Sequence, residues 1–504
     1  LQWPFTVSRI TTTYIMKKSS PNHVHDVIIV GAGISGINAA HHVQRTLPDS
    51  EYLLLEGRDN IGGTWDLFRY PGIRSDTDLH TFGFGWQPWQ EDRAIADGDA
   101  IAQYLHNTAE KDGIYSHIRF QHRIVAANWS SELELWTLEV ETKSGRVELD
   151  TKFLILGTGY YDYNEPLRAE IPGLSNNFRG TIVHPQFWPK DLDYTGKRMV
   201  IIGSGATAIT LLPNLAKKAS HVTMLQRSPT YIMSIDNATG GSWIHKLLPR
   251  AWAFKLDRWM FMWMIIILYN FCRLFPERSR TALEGAVAKQ LPKGVPMDPH
   301  FRPLYKPWDQ RVCFTPNGDF FESLQGGRAH VETAHIKAMS SDSIILDNGK
   351  TLKADIVVTA TGLKFCIGGH IHITIDDEEI NLADRYAWNS AMLQDVPNLA
   401  FMMGYVNASW TLGVETSCQL VCRLLLHMRK KHYSSVVPRL PKGFPMEPRP
   451  MWNLNATYVK KAQGFIPLCG NVGPWRGRTN YFVDLWRAQY GSITKDLVFR
   501  AVKP

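Results

Sequence analysis

Three glycines set directly after an apolar run place backbone amides where an anion can be held. Gly31, Gly33 and Gly36 form Gly-x-Gly-x-x-Gly between the short run 26–30, apolar after Asp26, and a helix-like stretch at 37–45. Gly31 serves a tight turn, Gly33 lets the backbone approach a pyrophosphate, and Gly36 permits close helix packing. The following helix turns its N-terminus toward the phosphates. A second apolar run, 52–55, ends in Glu56, 25 residues after Gly31. A carboxylate there hydrogen-bonds a ribose hydroxyl and disfavours a 2′-phosphate. The first site therefore suits FAD or NAD rather than NADP.

The pattern recurs downstream. Arg198 and the apolar residues 199–202 lead into Gly203, Ser204, Gly205, Ala206, Thr207 and Ala208, then a helix to about 217 and a strand at 221–225. Here the acid is missing: Gln226, Arg227 and Ser228 stand at the strand end. Arginine is suited to pair with the 2′-phosphate of NADP, and this is the reading preferred for Arg227 over one in which it merely decorates a strand end. Two such units imply two nucleotides, FAD first and NADPH second. That is the plan of a flavoprotein reduced by NADPH.

The elements that must position these loops follow from the rest of the chain. With 504 residues and 44% hydrophobic content, two or three packed units are expected. The net charge of +8 is spread without a dense basic run, which argues against a nucleic-acid partner. Six cysteines without a Cys-x-x-Cys pair fit a reducing compartment, so a cytoplasmic location is expected. Residues 153–159 and 355–362 resemble strands ending in Thr-Gly, where such a chain crosses between its two halves. The expected fold is α/β, with two Rossmann-like dinucleotide-binding domains and a helical insertion. Residues 1–25 form a flexible leader, with a weak transit sequence as the alternative. An FAD-binding domain spans 26–165 and 366–504, an NADPH-binding domain 166–235 and 306–365, and the insertion 236–305. Within the insertion, residues 259–272 are apolar and aromatic but short of the ~20 residues needed to cross a bilayer. A core helix is the reading preferred, and peripheral membrane contact the alternative. Near the C-terminus, Trp475 to Arg478 reads as a solvated basic loop, with NADPH contact as the alternative.

Phe178, Gly180, His184, Trp188 and Pro189 match every fixed position of Phe-x-Gly-x-x-x-His-x-x-x-Trp-Pro. This resembles the signature of the type I Baeyer–Villiger monooxygenases. Gly63, Thr64 and Trp65, then Tyr70, Pro71, Gly72 and Asp76, are similar to that family's second signature. The resemblance runs from about residue 26 to the end, and residues 62–76 and 308–311 look like the ethionamide-activating branch. It implies an FAD reduced by NADPH that reacts with dioxygen to a C4a-peroxyflavin, converting a ketone to an ester or lactone. A small-molecule carbonyl or sulfide is then the substrate; a flavin N- or S-monooxygenase acting on amines or sulfides is the alternative. The resemblance also implies that Arg311 and Asp76 are an active-site pair, the arginine stabilising anionic oxygen and the carboxylate orienting it. His184 would couple the domains, and Trp65 and Trp188 would pack beside the cofactors. Neither the natural substrate nor the oligomeric state has a linear code.

Overall fold

The computed structural model describes residues 23–238, 243–441, 443–452 and 464–502. The expected leader lies almost wholly outside these. The chain is α/β and is organised by two parallel sheet cores.

In the first core, strand Val24–Val30 is central. It pairs in parallel with Tyr52–Leu55 on one side and with Gly145–Leu156 on the other. The latter strand also pairs in parallel with Leu399–Phe401, and its first half turns back antiparallel onto Leu135–Thr142. The central strand is apolar throughout its second half because both its faces are covered. Val27 and Ile29 pack with Ile37, Ala40 and Val43 of helix Ile34–Thr46. Ile28 and Val30 pack on the other side with Leu53, Leu55 and Leu154.

The second core has five strands, in the order Ala329–Thr333, His221–Gln226, Arg198–Ile202, Ile356–Thr359, Thr181–Val183, all parallel. Helix Ala206–Leu215 covers it through Ile209, Leu211, Leu212 and Leu215. Every strand of this sheet lies between residues 181 and 359. The chain leaves the first sheet after Leu156 and returns after Thr359, and the two passages touch. Tyr161 and Phe365 form an antiparallel bridge, and Asp162 N–H donates to Lys364 C=O at 2.8 Å.

The expected helical insertion is present as Trp243–Leu247, Arg250–Leu274 and Pro276–Ala288. Its apolar stretch departs from the preferred core reading. Phe254, Met262 and Cys272 are buried, but Trp252, Trp259, Trp263 and Ile267 are exposed. Among the described residues no single helix is long and apolar enough to cross a membrane; the last two helices of the insertion pass such a test only as a pair bent by 116°.

Candidate functional site

At the C-terminal end of strand Val24–Val30 the three glycines separate into two physical classes. Gly31 has φ +95°, and a Cβ there would stand 2.8 Å from Gly157 O; a Cβ on Gly36 would stand 1.7 Å from Gly31 O. Both positions demand glycine for the protein's own packing. Gly33 differs: its backbone is extended, and an added Cβ would meet nothing nearer than Gly63 Cα at 3.6 Å. The protein alone does not require glycine there, so the space is kept for something else. The helix it precedes has no side-chain cap and no acid in its first turn, leaving amides to face an anion.

Glu56 closes this end of the site. It is buried and accepts from Ala32 N–H at 2.7 Å and from Arg58 N–H at 2.9 Å. Burial raises its pKa, and these two amides oppose that rise. A carboxylate offers about four acceptor positions, so a ribose hydroxyl can still be received.

The loop opens into a cavity of about 550 Å³. Four arginines, Arg58, Arg74, Arg123 and Arg311, line it against two acids, Glu56 and Asp76, a balance that suits an anionic dinucleotide. Gly63, Thr64 and Trp65 form part of its wall; Gly63 has φ +55°, and Thr64 Oγ1 is 3.1 Å from Tyr163 Oη. Another part of the lining is an aromatic wall in which Tyr160 stacks on Trp410, centroids 4.6 Å apart, with Phe365 and Trp452 beside it. Sequence reasoning missed this wall. The one signal was the tyrosine-rich run at 160–163, directly after the Thr-Gly crossing.

The second glycine loop repeats the logic. Gly203 has φ +138° and a Cβ there would stand 2.2 Å from Ala360 O, whereas a Cβ on Gly205 would meet nothing within 4 Å. Helix Ala206–Leu215 again begins without a side-chain cap or an acid. Ala206 and Thr207 line the main cavity. Ser204 Oγ donates to Ser228 C=O at 3.0 Å, tying the loop to the end of strand His221–Gln226. Arg227 is exposed at that strand end and Ser228 half-buried, a position from which a guanidinium can meet a phosphate. Arg227→Ala is expected to raise KM for NADPH roughly 10- to 100-fold while leaving KM for NADH nearly unchanged, the loss of one charge-assisted pair. Steady-state kinetics with the two coenzymes checks this, and equal effects on both remove the role.

Asp76 and Arg311, 235 positions apart, are brought together: Oδ2 and Nη1 are 3.1 Å apart, both half-buried on the cavity wall. The signature residues stand elsewhere. A Cβ on Gly180 would stand 2.5 Å from Asp355 O and from the Phe178 ring, so Phe178 and Gly180 are fixed by packing at the start of the edge strand Thr181–Val183. His184 caps the short turn Pro185–Phe187 by accepting from Gln186 N–H at 3.3 Å. Burial lowers its pKa, and the Gly362 backbone opposes this. Gln186 in turn donates to Asp162 C=O at 2.5 Å. His184 and Gln186 thus reach the two passages between the sheets, His184 at Gly362 and Gln186 at Asp162. Trp188 packs edge-on against Tyr194 beside exposed Pro189.

The passages carry their own charge cluster, also missed from sequence. Burial alone would raise the pKa of Asp162, but His370 and Lys364, both 3.0 Å from its Oδ2, prevail and hold it at about 2. A correction concerns residues 475–478. Trp475 is buried, and Arg478 donates to Thr416 Oγ1, Met403 C=O and Ser417 Oγ at 2.7–2.8 Å. This is an anchored segment rather than a solvated loop.

Two glycine loops at the ends of two parallel sheets, meeting around one cationic and aromatic cavity, define the class of flavoproteins that bind two dinucleotides. The family model described as pyridine nucleotide-disulphide oxidoreductase matches residues 28–239. The chain is 42% identical over 473 residues to FAD-containing monooxygenase EthA of Mycolicibacterium smegmatis, covering 94% of this chain and 96% of that one. It is 43% identical over 462 residues to probable FAD-binding monooxygenase AlmA of Acinetobacter baylyi, covering 91% and 92%. Among solved structures, oxidized steroid monooxygenase bound to NADP aligns with TM-score 0.73 at 19% identity, covering 95% of this chain and 100% of that chain. Cyclohexanone monooxygenase bound to ε-caprolactone aligns with TM-score 0.72 at 19% identity, with the same coverage. The chain belongs to the family of FAD-containing monooxygenases.

Proposed function

We propose that this monooxygenase carries out Baeyer–Villiger oxidation, turning a ketone into an ester or lactone at the expense of NADPH and dioxygen. The observation that carries the reading is the Arg311–Asp76 pair on the wall of the cavity into which the first glycine loop opens. Residues 26–165 and 366–504 form the FAD-binding domain. Gly31, Gly33 and the start of helix Ile34–Thr46 hold the pyrophosphate, and Glu56 the ribose. Residues 166–235 and 306–365 form the NADPH-binding domain, with Gly203, Ser204 and Gly205 at the pyrophosphate and Arg227 and Ser228 at the 2′-phosphate. Bound FAD, reduced by NADPH, supplies the electrons that split dioxygen, one atom going to the substrate and the other to water.

The chain's own part is electrostatic. A guanidinium cannot practically lose its proton, so Arg311 stabilises negative charge on oxygen without protonating it. Asp76, 3.1 Å from it, holds the guanidinium in place. Trp65, Phe365, Trp410 and Trp452 present apolar surface that keeps water out, which strengthens the arginine's field. Amine and sulfide oxidation need no such cation, because there a soft nucleophile attacks and leaves no carbonyl oxyanion to stabilise. Incubation with NADPH and a panel of ketones and thioethers, followed by mass spectrometry, tests the reading. Ester or lactone is expected; sulfoxide without ester overturns it in favour of heteroatom oxidation.

A further inference from the structure

Helix Arg250–Leu274 is apolar on both sides, and only one side is covered. Trp252, Leu256, Trp259, Trp263, Ile267 and Leu274 recur at three-, four- and seven-residue steps and are all exposed, Trp252, Ile267 and Leu274 by 65%, 63% and 72%. At 1.5 Å per residue they form a stripe about 33 Å long. It continues onto helix Tyr481–Tyr490. Phe482 stacks on Trp263 at 4.7 Å and on Trp259 at 5.5 Å, and Val483, Trp486 and Tyr490 are exposed beside it. An apolar surface this continuous is normally covered in use.

The border says by what. Lys246, Arg250 and Lys255 are exposed at one end of the stripe and Arg278 at the other, whereas Arg273 turns to Asp309, 2.8 Å away. Residues 245–276 contain one acid, Asp257, and it is buried against His245 Nε2 at 2.6 Å. Glu277, exposed at the far corner, faces Arg280 at 3.7 Å. Lys255 lies over the Trp252 ring at 5.5 Å and Arg278 over Phe275 at 5.6 Å. Tryptophan among exposed cations is the composition of a surface that meets lipid headgroups and acyl chains together. A second copy is a poorer occupant. With basic residues at both ends of the stripe, an antiparallel two-fold pairing along its length sets basic against basic.

We propose that this face seats the protein on an anionic phospholipid bilayer, with helix Arg250–Leu274 lying in the headgroup plane. The back of the same helix lines, through Tyr269 and Arg273, a second cavity of about 340 Å³ that shares Tyr405, Val406 and Trp452 with the main one. An alkyl-chain ketone dissolved in the bilayer would then enter from the membrane side, a consequence that rests on the Baeyer–Villiger reading.

Flotation tests the seat without turnover. The FAD-loaded full chain is mixed with phosphatidylcholine vesicles containing phosphatidylglycerol, or with phosphatidylcholine alone. It is expected to float with the anionic vesicles and to bind neutral ones roughly tenfold less. The triple variant Trp252→Ser, Ile267→Ser, Leu274→Ser should stay at the bottom while keeping wild-type flavin absorbance and NADPH oxidation, since all three side chains are mostly in solvent. Wild-type protein that stays at the bottom with anionic vesicles overturns the proposal, and light scattering showing a dimer that the triple variant splits assigns the face to a second copy. Undiminished flotation of the triple variant overturns it equally.

Discussion

Arg311→Ala is expected to lower ester formation by a factor on the order of 10²–10³ while the protein goes on oxidising NADPH. The separation follows from what each half of the reaction asks of the site. Hydride transfer needs the nicotinamide aligned on the flavin and develops no oxyanion for Arg311 to stabilise. Negative charge on the substrate's oxygen appears later, in a water-poor cavity where a fixed cation contributes most. Electrons delivered without that cation still reach dioxygen, so hydrogen peroxide should replace ester as the product. Asp76→Ala should show a smaller loss, because the guanidinium 3.1 Å away keeps its charge and loses only an anchor. Stopped-flow absorbance follows flavin reduction, and product and peroxide are assayed in parallel. Ester made by Arg311→Ala at the wild-type rate would reduce the pair to a structural ion pair.

Gly33→Val is expected to give a folded, colourless protein. The extended backbone at residue 33 is open to L-residues, and a Cβ there would stand 3.6 Å from Gly63 Cα, an ordinary van der Waals contact. The branched side chain would occupy the space into which the pyrophosphate must come. Gly36→Val makes the control, because its Cβ would collide with Gly31 O at 1.7 Å, so that variant should fail to fold. Circular dichroism and flavin absorbance separate the two outcomes. A Gly33→Val protein that retains stoichiometric FAD would show that this loop does not hold the flavin.

The glycine loops were legible because their information is local: strand, turn and helix lie within about 20 residues, and each glycine answers a backbone requirement. The strands at 198–202 and 221–226 were legible for the same reason, a short and largely apolar run being what a doubly covered parallel strand looks like. The Arg311–Asp76 pair was reachable only through family signatures, since nothing in 235 residues of separation encodes a contact. The aromatic wall was out of reach in any local reading, because Tyr160, Phe365, Trp410 and Trp452 come from four separate segments. Arg478 was misread because a basic loop is usually solvated, and the three acceptors that hold it arrive from 403, 416 and 417. Helix Arg250–Leu274 was misread for a different reason. Its covered and uncovered sides have the same chemistry, so periodicity cannot distinguish inside from outside.

The paired passages between the two sheets have a bearing on descent. Tyr161 bridges Phe365, Asp162 N–H reaches Lys364 C=O, and Cys366 N–H reaches Tyr160 C=O at 3.0 Å. About 200 residues therefore depart from and re-enter the first sheet through a single doorway. A segment with neighbouring ends can be gained, lost or exchanged by recombination without disturbing the register of its host, because the gap it leaves is one turn wide. By the same token the host strands on either side, Gly145–Leu156 and Leu399–Phe401, stay paired whatever is carried between them. The half proposed to bind NADPH thus has the geometry of a cassette, open to replacement as a unit.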